Sequence, residues 1–183
     1  MHAHQSNSGF SLLELLVVLT IAAVLMGMAA PSFSVLLATM RLKTTAELFI
    51  NHLNFARSEA IKRNSRAVLC KSADGMQCAS TGGWDQGWIV FHDANNNAQV
   101  DLDELILAQQ PPLKGSVKFA GNTTIAKYVS YTPDGGANFV SGAFQAGTFI
   151  LCVQSEIPME AREIMLSSAG QARLARVGAS ACN

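Results

Sequence analysis

Between Phe10 and Ala30 only Ser11, Glu14, Thr20 and Gly27 interrupt apolar side chains. At about 1.5 Å of rise per residue, this stretch predicts a helix long enough to cross a hydrocarbon core about 30 Å thick. Beyond Pro31 the rhythm changes. Leu42, Ala46, Phe49, Leu53, Ala56 and Ala60 recur at alternating steps of four and three, the stripe of an amphipathic helix ending near residues 63–65. The two patterns predict one long helix with two surroundings: residues 10–33 in lipid or among other helices, and residues 34–65 with their stripe on a domain. Glu59 and Arg63 stand four apart and are expected as an ion pair on the outer face, worth a few tenths of a kcal/mol.

From residue 66 the period shortens. RAVLC, GWIVFHD, ELILAQ, SVKFA, AKYVSY, GTFILCVQ, REIMLSS and ARLARV are short runs suited to strands, separated by Gly, Pro, Asn and Asp clusters. The segments between these eight runs are too short for crossover helices, so antiparallel pairing is expected. TPDGG at 132–136 and SAGQ at 168–171 are the clearest turns. The expected fold class is α+β: a long N-terminal α-helix packed on an antiparallel β-sheet head that occupies residues 66–183.

A chain of 183 residues, 49% of them hydrophobic, has material for one membrane segment and one domain of ordinary size. Its 13 basic and 13 acidic residues cancel, which excludes a global field selecting nucleic acid or anionic lipid. The distribution is uneven. Arg41 to Lys71 holds seven basic residues against Glu47 and Glu59, and Asp74 to Glu104 holds six acids and no base. Cys70, Cys78, Cys152 and Cys182 contain no CxxC spacing, so disulfides are a better reading than a redox dithiol or zinc. Four cysteines allow three connectivities. Outside the cytoplasm, local closure favours Cys70 with Cys78 and leaves Cys152 with Cys182, tying the C-terminal tail to the core.

Glu14 asks for a reason. A carboxylate in a membrane helix costs roughly 2.5 to 3.5 kcal/mol at mid-depth and less near an end, so it calls for a cationic partner. Met1 to Gly9 contains no Lys or Arg. A cut between Gly9 and Phe10 would create an ammonium four residues before Glu14, on the same helix face. A secretory signal fits less well, because the basic flank is missing and the apolar run is long, with MAAPS as its far-side cleavage candidate. A plain membrane anchor whose acid reaches the headgroups is the remaining alternative.

GFSLLELLVVLTIAAVLMGMAAP resembles the class III signal of type IV prepilins and type II secretion pseudopilins. The resemblance implies that residues 1–9 are a leader, that a membrane-embedded prepilin peptidase cuts after Gly9 and N-methylates Phe10, and that Glu14 recruits or registers the subunit during assembly. Pro31 matches the proline at which pilin helices often loosen or kink, in keeping with its missing N–H donor. The leader departs from the pattern in lacking basic residues.

LNFARSEAIKRNSRAVLC, GWIVFHDANNNAQVDLDE and MLSSAGQARLAR together resemble the GspH/FimT family of minor pilins and pseudopilins over nearly the whole chain. That resemblance implies a non-enzymatic subunit of low abundance. It would be held in the bacterial inner membrane by a single pass with a periplasmic head, then inserted at or near a filament tip to initiate or cap it. Its expected partners are the prepilin peptidase and other minor and major pilins or pseudopilins. A minor type IV pilin is the first reading, and a minor pseudopilin of a type II secretion system the second.

DANNNAQVDLDE, residues 93–104, sets Asp93, Asn95, Asn97, Asp101 and Glu104 at oxygen-ligand positions one, three, five, nine and twelve of a calcium loop. Ala98 replaces the glycine of the sharp turn, and the flanks read as strands rather than helices. Those departures favour a solvated hairpin loop whose Asx side chains cap backbone groups, with calcium the lesser reading and no other cofactor expected.

Some FimT-type pilins carry a Gly-Arg-x-Arg motif implicated in DNA binding during natural transformation. Here Gly170 and Arg173 match it, but Gln171 stands where the first arginine belongs. Phosphate affinity scales with the cations engaged, so the loss weakens the match. Alternation puts Arg173 on the face opposite Leu174 and Arg176, and Arg176, Lys127 and Arg162 are the candidates to compensate. The basic run at residues 57–66 has a sufficient structural reason in the dipole of the helix C-terminus. His52 and His92 lack an evident catalytic partner, and Trp84 and Trp88, without aromatic–basic interleaving, are expected to pack.

Overall fold

The computed structural model describes residues 10–155 and 158–182, with the side chains at 27–32 outside the description. Gly9 and the expected leader also lie outside the described residues. The chain forms two compact units, Met1–Ala38 and Thr39–Asn183. One helix, α1 (Leu12–Arg63), contributes to both.

Local chemistry sets both ends of α1. At the start, Ser11 Oγ accepts the backbone N–H of Glu14 at 3.2 Å, which makes Ser11 the cap and puts Glu14 in the acid position of a capping box. At the end, Asn64 takes φ 50°, Ser65 N–H donates to the Ala60 carbonyl, and Asn64 N–H donates to that of Ile61. This is a Schellman stop with asparagine in the left-handed position. Pro31 falls inside α1, where it lacks the N–H that would donate to the carbonyl four residues earlier.

Eight strands follow: β1 (Arg66–Lys71), β2 (Trp88–Asp93), β3 (Ile106–Gln110), β4 (Val117–Gly121), β5 (Tyr128–Tyr131), β6 (Gly147–Val153), β7 (Ala161–Leu166) and β8 (Ala172–Val177). All named pairings are antiparallel, and the eight runs picked out in the sequence are these strands. They form two sheets, with orders β3-β2-β1-β5 and β4-β6-β7-β8. The α+β expectation therefore holds, with the head divided in two.

The stripe from Leu42 to Ala60 is buried at all six positions and shares one core with both sheets. Phe49 is its hub. Its ring lies 5.0 Å from Trp88 of the first sheet, 4.7 and 4.8 Å from Phe119 and Phe149 of the second, and 5.3 Å from Trp84 in the 3-10 turn Trp84–Gln86, all edge-on. Edge-to-face geometry adds about 0.5 to 1.5 kcal/mol per pair beyond burial. Both tryptophans are thus core residues, as expected.

A second, smaller core lies on the other face of the first sheet, where Val68, Cys70, Ile89 and Phe91 meet Ala98. β1 and β2 are buried on both faces for this reason, which matches their unbroken apolar runs.

One expectation fails. Glu59 is 8% exposed and does not sit on an outer face. Its Oε2 accepts from Arg63 Nε at 2.7 Å, and its Oε1 lies 3.4 Å from Lys62 Nζ. Period four reads the pairing but not how far the side chain is covered, since the helical repeat names neighbours three and four residues away and nothing else.

Candidate assembly surfaces and binding loops

From Leu12 to Met26 the apolar side chains of α1 have almost no cover in their own unit. Leu12 is 83% exposed and Leu25 62%. Thr20 satisfies its hydroxyl on the Val17 carbonyl at 2.8 Å, so it adds no demand for a polar neighbour. Glu14 is then the one ionisable group in the described part of this surface. Its first-turn position complements the helix dipole. Among the described residues no helix is long and apolar enough to cross a membrane; the expected span 10–33 includes positions 27–32, whose side chains lie outside the description.

The loop after β2 is closed by its own acids. Asp93, 1% exposed, accepts the N–H of Asn97 on one oxygen and that of Ala98 on the other, both at 3.0 Å. Glu104 accepts from the N–H groups of Ala94 and Asp101. Asn95 and Asn97 both donate to Asp101 Oδ2 at 2.7 Å. Ala98 adopts φ 56°, so the sharp turn forms without its glycine, and the alanine methyl is held in the small core. Asp93, Asn95, Asn97, Asp101 and Glu104 are thus brought together, with Asp93, Asn97 and Glu104 accepting backbone N–H groups of the loop and Asp101 accepting the two asparagine amides. Among the described residues no group of three or more His, Cys, Asp or Glu is arranged to hold a metal ion.

The disulfides pair Cys70 with Cys78 and Cys152 with Cys182, at Cα separations of 5.6 and 6.1 Å. The second pins the 3-10 turn Ala179–Cys182 to β6.

At the C-terminal hairpin, Arg173 faces Met165 and Arg176 faces Arg162 across β7. Side chains alternate, so Arg176 shares the helix-facing side with Arg162, and Arg173 is on the other. Arg162 is 3% exposed and spends Nη1 on the Ala161 carbonyl, 3.7 Å from Glu160. Lys127 lies in the other sheet's approach to β5, lining a cleft with Cys70, Cys78 and Tyr128.

A family model described as Type II transport protein GspH matches residues 45–170, and a model of the prokaryotic N-terminal methylation motif matches residues 4–30. The chain belongs to the GspH family. Among solved structures it resembles the type IV minor pilin FimU of Pseudomonas aeruginosa, with TM-score 0.55 and 18% identity over 76% of this chain and 90% of that one. It also resembles the minor pseudopilin EpsH from the type 2 secretion system of Vibrio cholerae, with TM-score 0.50 and 13% identity over 74% of this chain and 96% of that one. At those identities the likeness is one of fold. A search of curated proteins gives no match.

In this GspH-family head His52 links α1 to β2. Trp88 Nε1 donates to His52 Nδ1 at 2.8 Å, and burial holds the His52 pKa below the usual histidine value. His92 Nε2 and the Tyr131 hydroxyl are buried with no hydrogen-bond partner among the described residues, and burial drives the Tyr131 pKa up. Lys71 is held down by burial and the nearby Lys127, and it donates to the Gly82 carbonyl at 2.7 Å.

Two residues that the sequence did not announce tie loops to the outer strands of the sheets. Gln145, fully buried, accepts the Ser130 N–H on Oε1 and donates Nε2 to the carbonyls of Thr124 and Tyr128. It thereby occupies part of the free edge of β5. Asp85 accepts the Phe119 N–H of β4 at 3.3 Å. A Ser-x-x-Glu signal could have revealed the Ser11 cap, whereas no local pattern marks Gln145.

Proposed function

We propose that this GspH-family chain is a minor type IV pilin, a structural subunit rather than an enzyme. It is processed after Gly9 by a prepilin peptidase, N-methylated at Phe10, held in the inner membrane by residues 10–33 with a periplasmic head, and inserted near a filament tip to initiate or cap assembly. Its neighbours are other pilins. The observation that carries the reading is the apolar surface of Leu12–Met26, exposed on nearly all sides of its helix, with a single acid in the first turn. Such a surface needs lipid or other apolar helices around it, at about 25 cal/mol per Å² removed from water. Glu14 then finds its cation in a free Phe10 amine, its own or a neighbour's, and Pro31 marks where the helix gives up a donor.

A minor pseudopilin of a type II secretion system is the second reading, supported by the family's own description. DNA binding through Arg173 and Arg176 is not favoured, because the two face opposite sides of the sheet. The reading is tested by intact mass of the full chain co-expressed with a prepilin peptidase, beside a Gly9→Ala control. A chain starting at methylated Phe10, lost in the control, is expected. An uncut chain beside a correctly processed reference prepilin would reduce Leu12–Met26 to a plain anchor.

A further inference from the structure

Four strands end the two sheets, and three of those edges carry a blocking device. β5 is met by Gln145, which takes the Ser130 N–H and the Tyr128 carbonyl. β4 is met by Asp85 at Phe119. β3 is short, shifts register against Val90 and Phe91, and runs into Pro111 and Pro112. Bulges, short length and proline are recognised ways to keep a sheet edge from pairing.

β8 has none of these. Its six residues keep an unbroken register with β7 and contain neither proline nor glycine. Among the described residues none of its main-chain groups bonds outside that pairing. It carries Arg173 on the outer face and Arg176 on the helix-facing side, both exposed.

We propose that β8 is an acceptor edge. An extended acidic segment of a neighbouring subunit adds beside Ala172–Val177 as a fifth strand of the second sheet. Its main chain supplies the hydrogen bonds, and two carboxylates three residues apart, hence on opposite faces, reach Arg173 and Arg176. A second copy of β8 fits less well, because the fully overlapped antiparallel register, Ala172 opposite Val177, would set Arg173 opposite Arg176, and a shifted register would leave both arginines without a carboxylate. The proposal rests on the filament reading only for who supplies the strand.

The test uses the full chain in detergent and synthetic probes. A capped octapeptide of valine and threonine with two glutamates three apart is compared with its backbone N-methylated form, its lysine form and a single-stranded oligothymidylate, reading hydrogen exchange at residues 172–177. The glutamate peptide is expected to slow exchange there about tenfold. Arg173→Glu with Arg176→Glu is expected to weaken binding about tenfold, the effect of two exposed ion pairs, while β1 and β2 amides stay unchanged as the fold control. No slowing, or slowing that survives N-methylation, overturns the proposal and leaves the arginines as guards of a closed edge. Slowing by the oligonucleotide alone overturns it in favour of nucleic acid. Either failure leaves the peptidase experiment untouched.

Discussion

The indole N–H of Trp88 donates to Nδ1 of His52, 2.8 Å away, so the helix and the first sheet are joined by a bond that exists only while that histidine is neutral. An indole cannot accept, and protonating Nδ1 would place two donors face to face. Burial already lowers the folded pKa of His52 from the ordinary 6.5. Between the folded value and 6.5 the unfolded chain binds the extra proton, so stability is fully present above 6.5 and falls as pH drops through that window. Glu59 acts in the same direction but lower: the Arg63 hydrogen bond lowers its pKa from 4.5, so its contribution is lost only as pH falls below that value. Urea midpoints at pH 7.0 and 5.5 should therefore differ for the natural chain and differ less for His52→Asn, whose amide oxygen can accept from Trp88 without titrating. An equal drop in both would remove His52 from the pH response.

Gln145 should be costly to change. Gln145→Leu leaves the Ser130 N–H and the Thr124 and Tyr128 carbonyls without their partner, at about 1 to 3 kcal/mol per buried orphan, with a total of about 2 to 5 kcal/mol once the structure relaxes. Gln145→Glu keeps an acceptor for Ser130 but loses both donations, so it should gain stability as pH is lowered and the acid becomes a donor. Thermal midpoints of the three proteins at two pH values decide this, and a pH-independent Glu variant would refute it.

The sequence disclosed what repeats. The stripe from Leu42 to Ala60 and the apolar runs of β1 and β2 follow from periodicity, and the core is built on them. The turns TPDGG and SAGQ were legible from their composition, and Gly135 and Gly170 within them take φ of +81° and +75°. The division into two sheets was not, since β5 returns to pair with β1 past β4, a choice made by long-range contacts. Glu59 escaped because a helical repeat identifies its ion-pair partners but not how far its side chain is covered. Among the candidate sites, the calcium spacing was real as a pattern, and in this loop the oxygens of its first and last members, Asp93 and Glu104, accept backbone N–H groups.

The two disulfides should differ in what they hold. Cys152–Cys182 closes a separation of 30 residues and Cys70–Cys78 one of 8, so chain entropy assigns about 3.6 kcal/mol to the first and about 2.5 to the second. Cys152→Ser with Cys182→Ser should lower the unfolding midpoint and make residues 179–182 the first proteolytic site. Cys70→Ser with Cys78→Ser should leave that tail resistant while loosening the loop that covers the smaller core. Limited proteolysis with mass mapping separates the two. Identical cleavage patterns would mean that the tail is held by packing rather than by its covalent tie.

Gly170 and Gly142 separate backbone strain from close packing. Both have positive φ, +75° and +88°, and an alanine at either pays roughly 1 to 2 kcal/mol for that conformation. At Gly142 an added Cβ meets nothing within 4 Å, whereas at Gly170 it would come 2.2 Å from the Gly135 carbonyl oxygen and 3.0 Å from the Tyr131 ring. That carbonyl is already fixed by Arg57 Nε at 2.9 Å, and the neighbouring turns are tied by the Ala137 N–H on the Ser168 carbonyl, so the backbone has little room to yield. Gly170→Ala should therefore cost more than Gly142→Ala by about 1 to 3 kcal/mol, the usual penalty of overpacking. Chemical denaturation of both variants measures the difference. Equal losses would show that the two turns part freely and that the contact between TPDGG and SAGQ contributes no rigidity to the base of β8.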